Sequence, residues 1–215
     1  MQIEKDFSPT LAGSDRSNVR ETVVNWLRCV PDLVRGAAES GKIEVGLKLF
    51  NALFDDAFQL EMLRATQGGT GDDTADWLVY GNRLFDPDRQ FESHRGIAYG
   101  GGDLSDRNLR VLGIFLAENG ESMPSIAATG DICSGRVALE YALRGATSFQ
   151  LHTFFQLPSE QYVLRNGSRT QKALHELYLH PEEGLVVWLR HLAGRFGMST
   201  SPIRLRDLVG LGRPG

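Results

Sequence analysis
The sequence predicts an α/β protein on a parallel sheet, either an open five-stranded sheet or the latter part of a (β/α) barrel. Three observations carry this. About five short apolar runs alternate with stretches of helical periodicity. Within residues 125–154 two such runs flank a single helix, a link that requires parallel strands and a right-handed crossover. The residues that close the strands, Lys48, Asn82 and Gly130 among them, fall at one carboxyl edge, the edge where barrel enzymes keep their sites.

Composition sets outer bounds. The 215 residues are 41% hydrophobic and 23% charged, the balance of a soluble globular chain with a real core. A net charge of −4 with both signs interspersed gives no basic stripe, so no nucleic-acid partner is expected. Cys29 and Cys133 are too few and too far apart for a disulfide framework or a zinc site; no metal is expected, and a reducing cytoplasm is. No apolar run reaches the length of a membrane span, and Glu4, Lys5 and Asp6 stand where a signal peptide would need hydrophobic residues.

Residues 1–4 read as a short strand and 7–13 as a loop, where Pro9 lacks a donor and Gly13 supplies a turn. Residues 18–39 read as a helix with Val23, Trp26, Leu27, Val30 and Leu33 on its apolar face, kinked at Pro31. Residues 43–50 form a strand with Val45, Leu47 and Leu49 on one face. Lys48 is out of place in a strand covered on both sides. Either it meets a functional partner or it lies at the strand end and extends its amine into water. A helix over 54–65 opens with Asp55 and Asp56 near its positive end. A glycine-rich loop and a strand over 76–80 then deliver Gly81, Asn82 and Arg83 to the carboxyl edge. Residues 83–103 lack periodicity, and a connection that long reads as a lid or small hairpin over the site. Residues 104–118 read as a helix with the apolar residues Leu109, Leu112, Ile114 and Leu116.

In the central unit a strand over 126–129 ends at Gly130, and Ser134 caps a helix from Gly135 whose buried stripe is Val137, Ala138, Tyr141 and Ala142. Gly145 closes that helix, because glycine takes the left-handed conformation freely, and a strand over 147–154 follows. Helices over 170–179 and 181–196 and a closing turn within 203–215, its arginines solvated, complete the chain. The strand ends Gly130-Asp131-Ile132 and His152-Thr153 lie side by side. Backbone N–H groups in a glycine turn and at a helix start can hold a phosphate there, although a glycine at a strand end also serves packing alone; the spacing leaves both readings open.

The motifs then go beyond pattern. Phe7-Ser8-Pro9, Gly46-Leu47-Lys48-Leu49, Tyr80-Gly81-Asn82, Tyr99-Gly100-Gly101-Gly102-Asp103-Leu104-Ser105, Thr129-Gly130-Asp131-Ile132 and the run from Gly145 to Thr153 occur in an order that resembles the dihydroorotate dehydrogenase family. The resemblance runs from about residue 4 to Gly210. It implies an FMN-binding (β/α) barrel of TIM type, present from about its fourth strand onward as a single domain over residues 1–215, that oxidises dihydroorotate or a related dihydropyrimidine to orotate in pyrimidine biosynthesis. An open barrel exposes strand edges, so it also implies a truncated product or a partner, a second copy included, that completes the barrel.

For the site, the resemblance implies Ser8 as the base that takes the C5 proton, although a Ser-Pro pair is also an ordinary turn. Lys48 matches the lysine at the flavin N1–C2=O edge, and Asn82 an asparagine that hydrogen-bonds the pyrimidine. Gly101, Gly102 and Ser105 match the turn near the ribityl phosphate, and Gly130, Asp131, His152 and Thr153 the phosphate cradle. The chain departs from the family at Lys5 and Thr10, where asparagines flank the catalytic loop beside the pyrimidine, and at Arg83, where a hydroxyl residue stands. Asp131 replaces a second glycine; its Gly-Asp-Ile form is similar to that of tRNA-dihydrouridine synthases, whose catalytic cysteine loop is absent here. Two other readings remain beside the flavoenzyme: a degenerate, non-catalytic barrel fragment, and a phosphate-binding barrel without flavin.

Overall fold
The computed structural model describes residues 16–38, 43–51, 55–67, 74–99, 104–198 and 202–212. The chain divides into two compact units, Met1–Tyr99 and Gly100–Gly215. Lys5, Ser8, Thr10, Gly101 and Gly102 lie outside the described residues, as does the expected strand over 1–4.

In the first unit, helix α1 (Arg16–Ala37) runs on through Pro31, which is buried on the same side as Val24 and Leu27, so packing offsets the donor that proline lacks. The apolar face expected for this helix is in fact two. Val24 and Leu27 are buried, whereas Trp26 and Leu33 are 58% and 64% exposed. Strand β1 (Gly46–Asn51) follows, then α2 (Asp56–Ala65), whose cap is Asp55: its carboxylate accepts the Phe58 N–H at 2.9 Å. Strand β2 (Trp77–Phe91) pairs parallel with β1, Leu47 opposite Leu78 and Leu49 opposite Tyr80. Here β1 is not covered on both sides. Leu47, Leu49 and Asn51 are buried, while Lys48 and Phe50 on the other face are exposed, so Lys48 sits in mid-strand without any desolvation to offset.

Between Leu49 and Asn51 the register slips, Leu49 facing Tyr80 but Asn51 facing Leu84, which makes a bulge of Gly81, Asn82 and Arg83. Beyond it β2 turns at Glu92 and Ser93 into β3 (His94–Tyr99), its antiparallel partner. The aperiodic segment after Arg83 is therefore a hairpin as far as Tyr99.

The second unit begins with α3 (Leu104–Asn119), followed by β4 (Ser125–Ala128), α4 (Gly135–Leu143) and β5 (Ala146–Phe149). A one-turn helix α5 (Thr153–Gln156) and two longer ones, α6 (Arg169–Leu179) and α7 (Leu185–Arg195), come next. β4 and β5 are parallel neighbours with Ile126 opposite Ala146 and Ala128 opposite Phe149. Ser134 caps α4 as expected, accepting the Val137 N–H at 3.2 Å, and Gly145 leaves it at φ 96°. α3 buries Leu104, Asn108, Val111, Leu112, Phe115 and Leu116, whereas Ile114 is 40% exposed. Two expectations are corrected. β5 is short: its last bond, Gln150 N–H to Ala128 O, is followed by a bend that makes His152 and Thr153 the start of α5 instead of strand. α7 starts at Leu185, because the residues after His180 turn about its imidazole, whose Nδ1 accepts the N–H groups of Glu182 and Glu183.

The core of this unit includes Leu139, Leu143, Leu192 and Leu208, flanked by Trp188 and Leu189. The closing turn docks on it: Gly210 and Gly212 donate to Ala142 O and Leu143 O in the last turn of α4, where Ala142 O also accepts the Gly145 N–H.

Candidate functional site at the end of strand β4
The chain leaves β4 through Thr129 into two successive left-handed residues, Gly130 (φ 99°) and Asp131 (φ 52°). Glycine holds such a conformation at no steric cost; aspartate does so under strain that its surroundings must compensate. Those surroundings are specific. Ser105, in the first turn of α3, donates its hydroxyl to Asp131 Oδ2 at 3.1 Å. Asn108, one turn further along, donates its amide to Thr129 O and to Tyr141 Oη, both at 3.1 Å. Tyr141 of α4 in turn donates to Gly130 O at 2.8 Å.

Both Asn108 and Tyr141 are wholly buried. Burial holds the Tyr141 phenol well above its ordinary pKa, with the Asn108 bond pulling down and the Asp131 charge pushing up. It is therefore a neutral donor at any working pH.

Because β4 and β5 are adjacent and parallel, the Gly130 turn and the start of α5 follow neighbouring strands. His152 and Thr153 are exposed there. The start of α4 is closed by the chain itself: besides the Ser134 cap, Arg136 N–H donates to Glu183 O at 2.9 Å. A Cβ at Gly135 would come within 2.0 Å of Leu185 N, so the junction between α6 and α7 rests directly on this helix.

A cleft of about 510 Å³ opens beside the turn, not over it; it is lined by Ser105, Cys133 and Ser134 but by none of Gly130, Asp131, His152 and Thr153. Asp106, Glu140, Glu176 and Glu183 also line it, which disfavours an anion. Arg136 lies 3.4 Å from the Glu183 carboxylate and 4.8 Å from the centre of the Trp188 ring. Cys133 is exposed along the cleft, and partial desolvation there and then the Asp131 charge raise its thiol above the usual pKa, its own backbone bond pulls down, and Glu183 adds a weaker push upward.

In the first unit Lys48 is exposed on β1, and Asn82 is half-buried on the bulge of β2, a feature that re-aims side chains near sites. Among the described residues no three His, Cys, Asp or Glu side chains are grouped to hold a metal. No described helix is long and apolar enough to cross a membrane. Of the second-unit residues picked from sequence, the structure ties Ser105 to Asp131 and places Gly130 beside them. Apolar periodicity does not mark Asn108, a polar residue in an apolar stripe, and it marks Tyr141 only as core.

In fold, the chain is similar to dihydroorotate dehydrogenase. Ligand-free dihydroorotate dehydrogenase (DHODH) from Eimeria tenella superposes over 91% of this chain with a TM-score of 0.57 and 14% sequence identity. The chain spans about half, 51%, of that structure's length. DHODH from Eimeria tenella in complex with ferulenol matches 79% of this chain and 38% of its own, at a TM-score of 0.48 and 16% identity. No family model and no curated protein sequence matches. The fold is thus α/β and part of a parallel (β/α) barrel, with helices alternating with its parallel strands.

Proposed function
We propose that the chain is part of an FMN-dependent oxidoreductase of dihydroorotate dehydrogenase type, acting on dihydroorotate or a related dihydropyrimidine. The observation that carries this reading is the left-handed Gly130 turn, its carbonyls tied inward, next to the start of α5 in a fold similar to that enzyme's. The residues fit a phosphate. Gly130 lets a ligand approach its backbone closely, and the Asp131 carboxylate is engaged by Ser105.

Gly130, Asp131, His152 and Thr153 would hold the phosphate through their backbone, with Gly101, Gly102 and Ser105 near the ribityl chain. Bound flavin supplies a hydride acceptor. Lys48, a cation on the uncovered face of β1, would stabilise negative charge at the N1–C2=O edge. Asn82 would orient the pyrimidine, flanked by Lys5 and Thr10, and Ser8 would take the C5 proton, passing it to water or a neighbour because serine is a weak base. Both units are read as successive parts of one domain in the cytoplasm. Among the described residues β1 and β5 are each hydrogen-bonded on one side only, which supports a partner, a second copy or another chain, that completes the barrel.

The test is the visible absorption spectrum of the purified protein with added FMN, its solution mass determined on the same sample. Near-stoichiometric flavin bands that bleach with a dihydropyrimidine support the reading, and a protein that stays colourless overturns it. Lys48→Ala should weaken flavin retention or shift the flavin spectrum; an unchanged spectrum and turnover would remove Lys48 from the site.

A further inference from the structure
We propose that Asn108 and Tyr141 are positioning residues: they fix the direction of the peptide groups in the Gly130 turn and thereby the preference of the site for a phosphorylated ligand. This deepens the phosphate reading above and rests on it.

A trans peptide group points its C=O and its N–H in opposite directions. Asn108 holds Thr129 O, so the Gly130 N–H of the same peptide faces away from the buried pair. Tyr141 holds Gly130 O, so the next peptide is turned the same way. These two ties act on the peptide planes themselves, beside the Ser105 bond that holds the Asp131 side chain, and they matter at a glycine because it occupies both signs of φ with similar ease.

The network can be wired in one sense only. Carbonyl oxygens cannot donate, so the Tyr141 proton is committed to Gly130 O, and its oxygen must accept from the Asn108 amide, which also donates to Thr129 O. Both side chains are at 0% exposure, so water cannot replace either one cheaply. They come from α3 and α4, which clamp the turn from two helices while neither side chain touches the ligand.

The experiment compares FMN with riboflavin, which lacks the phosphate, by flavin fluorescence in the unmodified chain, in Tyr141→Phe and in Asn108→Ser. The Gly130 amide shift on addition of inorganic phosphate is followed in parallel on ¹⁵N-labelled protein. Tyr141→Phe should lower FMN affinity by about five- to tenfold, leave riboflavin affinity within about twofold and shrink the Gly130 shift. Asn108→Ser, which keeps the Tyr141 tie, should show the same pattern more weakly and serves alone if Tyr141→Phe does not fold. Equal losses for both flavins, or an unchanged FMN affinity, would overturn the positioning role while leaving the phosphate site standing. A parent chain that prefers neither FMN nor shows a phosphate shift at Gly130 would overturn the phosphate reading and this role with it.

Discussion

Replacing Asp131 by glycine should raise the affinity for FMN relative to riboflavin while leaving the fold nearly as stable. On the stability side three terms compete. Removing a side chain from φ 52° relieves about 1 kcal/mol of backbone strain. Losing the 3.1 Å bond from Ser105 costs about 1 kcal/mol. Added freedom of the unfolded chain costs a further ~0.5–1 kcal/mol. The sum lies within about 1 kcal/mol of zero. On the binding side, if a bound phosphate dianion lay about 6 Å from the carboxylate in a water-like dielectric, repulsion would be about 0.7 kcal/mol per charge, about 1.4 kcal/mol in all. That is about tenfold in affinity. Flavin fluorescence titrations at low salt, where screening is weakest, give the two dissociation constants, and thermal melts give the stability. A ratio of FMN to riboflavin affinity that stays flat or falls would show that no phosphate sits against this turn, or that the carboxylate helps to bind it.

Three further outcomes are expected. Gly135→Ala places a methyl 2.0 Å from Leu185 N and 2.4 Å from Leu177 O, main-chain atoms that cannot rotate away, so it should cost about 3 kcal/mol or more and lower the melting point by roughly 6–12 °C; a shift under 2 °C would contradict the packing of α4 against the α6–α7 junction. Asp76 has a lowered pKa, chiefly because it accepts the Val45 N–H at 2.6 Å and secondarily through Arg35, so its stabilising effect is complete well above 3.8 and is lost as acid protonates it. The stability gap between the parent and Asp76→Asn should therefore close between about pH 5 and pH 2, and a gap independent of pH would refute the assignment. Cys133 should react with iodoacetamide at pH 8 more slowly than a free cysteine and faster in Asp131→Gly, since the Asp131 charge is one of the causes that raise its pKa; an equal rate in both proteins would remove that cause.

What the sequence made legible was what short-range chemistry dictates. Ser134 caps a helix and Gly145 closes one, because each effect is settled within a turn of chain; Asp55, expected in the first turn of its helix, is instead that helix's cap. The strand-end Gly130 was equally visible. The failures share a different cause. Asn108 lies on the buried stripe of α3, a place that apolar periodicity does not mark, while the apolar Ile114 is 40% exposed. Its place is decided by Thr129 and Tyr141, which are 21 and 33 positions away. Residues up to Phe154 suit a strand, yet the ladder with β4 has no partner left after Ala128, and the chain turns into α5. Lys48 looked costly only on the premise of a strand covered on both faces, and the burial of β1 alternates.

The three tryptophans sort themselves in a way that gives the protein its own optical read-out. Trp26 and Trp77, in the first unit, are 58% and 39% exposed and should emit toward the red. Trp188, the second unit's tryptophan, donates its indole N–H to Glu182 O at 2.6 Å and lies beneath the Arg136 guanidinium and beside the His191 ring, 5.3 Å away. Its emission should be shifted and partly quenched by those neighbours. With Trp26 and Trp77 changed to phenylalanine, fluorescence from a single indole would follow the junction of α4 with the turn after α6, while the rest of the chain stays dark.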